Sequence, residues 1–163
     1  MSGRLNCRAD SLSRRHRDHC YSLPLNNFSY LCKKFSIFPV IDLFADRLNN
    51  KLPNYISEGP DPYASGFDAF ILPWPQSIYA FPPVHLVNKF LNRFIAQDIK
   101  YGLLICPFWP SQPYFATLLN LLIDNPLIIS ASVLENPEPL TPNLSLLLTC
   151  SITSNYALQK EFL

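Results

Sequence analysis

Three of the five carboxylates between Pro39 and Pro83, Asp42, Asp61 and Asp68, share that stretch with a diproline corner, and their spacing suits the edge of a ligand site. The β-branched pair Val40-Ile41 stops at Asp42, Asp61 and Asp68 follow, and after Trp74 a short apolar run closes on Phe81-Pro82-Pro83. An apolar strand tipped by an acid, then a second acid and a rigid turn after another strand, is how an open α/β sheet places a ligand at its strand ends. Cys7, His16, His19 and Cys20 carry atoms that zinc takes, but C-x8-H-x2-H-C fits no tetrahedral ligand spacing and His19 crowds Cys20. That set reads as a basic linker, and no metal is expected.

The elements that must hold such a site follow from composition and periodicity. At 163 residues, with 48% hydrophobic and 13% aromatic content, the chain suits one compact domain with a real core. Sixteen prolines against four glycines leave many rigid turns and no phosphate-cradling loop of the GxGxxG or GxxxxGK type, which argues against nucleotide hydrolysis. The net charge of +1 conceals a basic beginning, with Arg4, Arg8, Arg14, Arg15, Arg17, Lys33 and Lys34 in the first 34 residues. Such a segment is either a solvated tether or a contact for nucleic acid, with Arg14, Arg15 and Arg17 as its candidate residues. Five scattered cysteines and no apolar leader after Met1 imply an intracellular protein, nuclear or cytoplasmic, without a disulfide framework. The longest apolar runs are too short or too interrupted to cross a bilayer, so no membrane partner is expected.

Along the chain, Leu25, Phe28, Leu31, Cys32 and Phe35 predict a helix between Pro24 and Pro39, packed on the sheet before the first strand, 39–45. Short strands are expected at 55–57, 67–72 and 78–81. Leu86, Val87, Phe90, Leu91, Phe94 and Ile95 then form one face of an amphipathic helix. Leu103 to Cys106 reads as a buried strand reached by a right-handed parallel crossover. Pro113 opens a further helix through Leu122, and 127–132 is another strand. Beyond residue 136 the chain loosens into a proline-rich, partly ordered tail. The expected fold is α/β: a small Rossmann-like, mostly parallel sheet with flanking helices. Its divisions are 1–20 as a linker, 21–135 as the domain and 136–163 as the tail.

Two resemblances run through this text in order. Gly3, Asn6, Ala9, Asp10, Leu12, Ser13 and Arg14 resemble the G-x-x-N-x-x-A-D-x-L-S-R close of the RNase H domain in gypsy-like and DIRS-type retroelements. In that family the aspartate, here Asp10, is one of four carboxylates holding two divalent metals, and the other three lie upstream. One carboxylate cannot clamp both oxygens of a two-metal displacement, so Asp10 alone implies no nuclease activity. I-D-L-F-A, D-P-x-A, D-A-F, Y-A-F-P-P and P-x-W-P-x-Q-P then resemble phage-type DNA adenine methylases, and more closely the methylase-like region after RNase H in DIRS-type retrotransposons.

The resemblance implies a methyltransferase-like fold in which Asp42, Phe44 and Ala45 lie at the S-adenosylmethionine end of the first strand and Asp68 faces the cofactor's adenine. Phe81, Pro82 and Pro83 take the catalytic turn, where an amino-group methylase carries D/N-P-P-Y/F. An enzyme of this kind extrudes the base, binds its amine by acceptors and stacks its ring on an aromatic side chain. Phe81 supplies no side-chain acceptor and Val84 no stacking surface, so a degenerate methylase-like fragment of a retrotransposon polyprotein is expected. An active adenine methyltransferase and a nucleic-acid-binding module are the alternatives. Expected partners are DNA or an RNA–DNA hybrid and the upstream reverse transcriptase and RNase H domains. Trp109 is either a base-stacking residue or a bridge between loop and sheet.

Overall fold

The computed structural model describes residues 22–134 and 145–155. Among the described residues, three α-helices and seven strands form a three-layer α/β unit: α1 (Leu25–Phe35), α2 (Val87–Ala96), α3 (Pro113–Leu121), β1 (Ile41–Asp42), β2 (Ile56–Ser57), β3 (Gly66–Phe67), β4 (Ser77–Ala80), β5 (Tyr101–Pro107), β6 (Leu127–Ser130) and β7 (Leu146–Ile152). The main sheet has the order β1-β4-β5-β7-β6. β1, β4 and β5 are mutually parallel, while β7 runs antiparallel to both β5 and β6. Four of its strands therefore share one direction, as the expected mostly parallel Rossmann-like sheet requires.

β2 and β3 pair in parallel as a separate two-stranded ribbon. A parallel bridge from Asp42 to Tyr55 lays this ribbon along the outer edge of β1. The Asp42 N–H donates to the Asn54 carbonyl at 3.0 Å and the Ala45 N–H to the Ile56 carbonyl at 3.1 Å. Read across both sheets, the order is β3-β2-β1-β4-β5, which reverses direction between β1 and β4. In doubly wound sheets that reversal opens a crevice at the carboxyl ends of the two strands.

Alternation along the strands divides the core between two faces. Ile78, Ala80, Leu104, Cys106, Leu148, Cys150 and Ile152 meet Phe90 and Phe94 of α2 and Leu118 of α3. Tyr79, Leu103, Ile105 and Leu147 meet Phe28, Leu31, Cys32 and Phe35 of α1. A run of ring contacts crosses the first face: Trp74 stacks on Phe90 at 5.3 Å, and Phe90 meets Phe94 at 5.9 Å. α1 ends at Ser36, whose left-handed backbone directs two N–H bonds back to the last turn.

Several readings depart from expectation, the first being the 39–45 strand, which is a strand only at Ile41–Asp42. The 67–72 run forms a strand only at its first residue, because Asp68 adopts φ 59° and accepts the Phe70 N–H at 3.0 Å, turning the chain out of the sheet. Ile95, assigned to the buried face of the second helix, is 45% exposed in its last turn. Within the described part of 136–163, β7 is a strand between β5 and β6 and so belongs to the sheet of the domain itself. Its buried Thr149 and Ser151 are satisfied, Thr149 donating to the Leu127 carbonyl at 2.8 Å and Ser151 accepting the Asp124 N–H at 3.2 Å.

β5 and α2 meet most tightly at Gly102. A Cβ there would stand 2.8 Å from the Phe94 ring and 2.9 Å from Ile152. Gly102→Ala is expected to lower stability by about 1–3 kcal/mol, the usual cost of overpacking, measured by urea denaturation. An unchanged midpoint would show that Phe94 can yield.

Candidate functional site

The carboxyl ends of β1, β2, β3, β4 and β5 lie along one edge, because all five run parallel. The edge therefore carries 43–46 after β1, Asp68 after β3, 81–83 after β4 and Phe108-Trp109 after β5. Asp42 and Tyr79 are register partners, and the Leu43 N–H donates to the Tyr79 carbonyl at 3.0 Å. The I-D-L-F-A and Y-A-F-P-P segments are thus side by side at the reversal of strand order.

Their side chains do not converge on this crevice. Asp42 is 1% exposed and shares the α1 face with Tyr79. Its Oδ2 accepts the Lys51 N–H at 3.0 Å, and its Oδ1 is buried without a partner among the described residues. Burial pushes this carboxyl up to about 7, against the pull of the Lys51 and Phe44 N–H groups and the Lys51 charge. Phe44 packs into the other face, against Phe70 at 5.8 Å and Phe90 at 6.1 Å. Ala45 is buried and held by its N–H bond to β2.

Asp68 is exposed and caps its own turn. Phe81 is half-buried against the α1-side core, Pro82 and Pro83 are buried, and the Pro83 carbonyl accepts the Leu86 N–H at 2.8 Å to start a 3-10 turn. Trp109 is half-buried in the turn after β5, with its N–H on the Pro107 carbonyl at 3.1 Å. Trp74 is buried, its indole N–H donating to the Ala69 carbonyl at 2.7 Å. Asp10, Arg14, Arg15 and Arg17 lie outside the described residues.

S-adenosylmethionine needs acceptors for its ribose and adenine and room beside them, and the four residues assigned to it do not supply these. The Asp42 carboxyl is enclosed on the α1 side, Phe44 and Ala45 are packing residues, and Asp68 commits one oxygen to its own turn. As arranged, they do not fit the cofactor, and no chemical step runs through it. No group of three or more His, Cys, Asp or Glu able to hold a metal occurs among the described residues. Burial also pushes the Cys32 thiol up to about 11 and the Cys106 thiol up to about 12, so neither is a ready nucleophile.

The loops on this edge are ordered by their own side chains, Asp61 among them. Asp46 Oδ1 accepts the Leu48 and Asn49 N–H groups at 2.7 and 3.0 Å, and Asn49 Oδ1 accepts the Asp46 N–H at 2.7 Å. This reciprocal D-x-x-N arrangement is a turn signal readable from side-chain chemistry. Asp61 Oδ2 accepts the Tyr55 hydroxyl at 2.9 Å, and the Tyr63 N–H on Oδ1 is the chief cause holding its carboxyl below the ordinary range. Lys51 extends to Ser22, its Nζ donating at 2.6 Å.

No family model matches the chain, and no curated protein matches it. No helix among the described residues is long and apolar enough to cross a membrane.

Ionising Asp42 in place costs about 4 kcal/mol, at about 1.4 kcal/mol for each tenfold change in proton affinity. The folded form holds the proton more tightly than an ordinary aspartate near 3.8, so stability falls as pH rises from about 3.8 to about 7. Asp42→Asn is expected to flatten that part of the stability profile and to gain stability at pH 8, measured by urea denaturation between pH 4 and 8. A slope equal to that of the wild type would contradict the buried carboxyl.

Proposed function

We propose that this chain is a methylase-derived α/β scaffold from a retrotransposon polyprotein that does not itself transfer methyl groups. The observation that carries the reading is the β1–β4 seam: two of the methylase-like segments lie on adjacent parallel strands at the reversal of sheet order. P-x-W-P-x-Q-P follows the next parallel strand, and D-A-F follows β3. This order agrees with the textual resemblance, while the chemistry of the crevice does not favour catalysis.

At the turn, Phe81 packs its ring against the α1-side core, where a methylase would offer an amide or carboxylate oxygen to the reacting amine. A missing polar contact of that kind costs on the order of 3 kcal/mol of transition-state stabilisation. Val84, half-buried at the start of the 3-10 turn, offers no ring on which to stack an extruded base. The role left to the domain is association with neighbouring parts of the polyprotein or with its nucleic acid. Arg14, Arg15 and Arg17 are the candidate nucleic-acid contacts of that second role.

Incubation with labelled S-adenosylmethionine at millimolar concentration and adenine-containing DNA, single- and double-stranded, is expected to incorporate no label. Incorporation above a cofactor-only control would establish an active methyltransferase and overturn the degenerate reading. Separately, the genomic DNA immediately upstream is expected to encode reverse transcriptase and RNase H sequence. Unrelated DNA there would remove the retroelement assignment.

A further inference from the structure

Among the described residues only two buried side-chain polar atoms lack a hydrogen-bond partner, Asp42 Oδ1 and Arg93 Nε. Arg93 is otherwise engaged, donating from Nη2 to the Leu72 carbonyl at 2.9 Å and lying 5.5 Å from the Trp74 ring centroid. Asp42 is different, because its second oxygen grips a loop. Oδ2 accepts the Lys51 N–H, so the carboxyl is a tie between the end of β1 and the end of the segment 46–51, which rims the edge beside the β1–β4 crevice. Within that segment Asp46 and Asn49 bond to each other across a turn. Its end at Lys51 is bound to Asp42 through the backbone N–H and to Ser22 through the side chain.

We propose that the segment from Asp46 to Lys51 is a proton-controlled latch, closed over Asp42 while that carboxyl carries a proton and loosened when it ionises. A buried unpaired oxygen is tolerable on a neutral acid and costly on a carboxylate, which draws water toward itself. Release of the adjoining loop, whose Lys51 N–H is bound to Oδ2, would bring water to the carboxyl. The groups facing Asp42 do not neutralise it. From the loop, the Lys51 N–H and its charge favour the ionised form and Asp46 opposes it, while from the end of β1 the Phe44 N–H also favours it, all of them outweighed by burial. From β4, Tyr79 is held neutral, raised well above its ordinary value by burial and then by the charges of Asp42 and Cys32. From α1, the buried Cys32 thiol is also neutral at physiological pH.

The sign follows from proton linkage. A hydrated carboxylate in the open loop binds its proton near 3.8 and the closed one near 7, so opening releases a proton between those limits. The opening equilibrium constant then rises by up to about tenfold per pH unit across the window and levels off above it.

Amide hydrogen exchange on the full chain, corrected for the intrinsic pH dependence of exchange, tests this at Leu48 to Lys51 between pH 5 and 8. Protection is expected to fall by up to about tenfold per pH unit to near pH 7 and then level off, and Asp42→Asn is expected to abolish the slope. The β5 amides report global unfolding and are expected to stay better protected than the loop throughout. A flat wild-type profile, a slope that survives in the variant, or equal protection of loop and β5 would overturn the latch. Should Asp42→Asn fail to fold, the Lys51 amide nitrogen shift of the wild type decides. A titration midpoint close to 7 supports the proposal, and a midpoint near 3.8 or no titration contradicts it.

Discussion

Parallel pairing of Ile41-Asp42 with Ile78-Tyr79 is the constraint on which the arrangement of the whole edge depends. It fixes the carboxyl end of β1 beside that of β4, sets β2 and β3 to one side and β5 to the other, and so creates the reversal in strand order. The same register decides where each side chain faces. With Tyr79 committed to the α1 side, its partner Asp42 faces that side too, and a carboxylate that the resemblance assigns to a cofactor becomes a buried group tied to Lys51. One register choice thus both sets the reversal of strand order at which open sheets place ligands and turns the most suggestive acid away from that edge.

The energetic weight lies on the opposite face. Trp74, Phe90, Phe94 and Phe44 form a chain of ring contacts that fixes the turn after β3 and α2 to the sheet. Large aromatic side chains contribute most of what a small core gains on burial. Lys89 lies 4.2 Å from the Phe70 ring centroid at the margin of this cluster, covering rather than opening it. Residues that in a base-modifying enzyme would present rings to a substrate are here turned inward or half-covered.

Much of this architecture was readable from sequence where period and length coincide. The 3.6-residue spacing of Val87, Phe90, Leu91 and Phe94 gave α2, and an uninterrupted apolar run ending in proline gave β5. Pro113 marked the start of α3. Less readable was β7, because Thr149 and Ser151 interrupt the apolar pattern, and their hydrogen bonds to β6 and the Asp124 turn are what permit their burial. β3 was overestimated because Asp68 can adopt a left-handed backbone that ends a strand, a choice that propensity alone does not reveal. The positions of Asp42, Asp68 and the diproline corner along one edge followed from strand-end logic, but the direction of each side chain depends on register, which no local pattern encodes.

The central claim is that β1 lies between β2 and β4, all parallel, with Asp42 at the junction. Scalar couplings across hydrogen bonds in a deuterated, doubly labelled sample test it directly. The account predicts coupling from the Leu43 amide nitrogen to the Tyr79 carbonyl carbon and from the Asp42 amide nitrogen to the Asn54 carbonyl carbon. Coupling of either amide to a different strand, or of Leu43 to a β4 residue in antiparallel register, would contradict the seam and the crevice built on it.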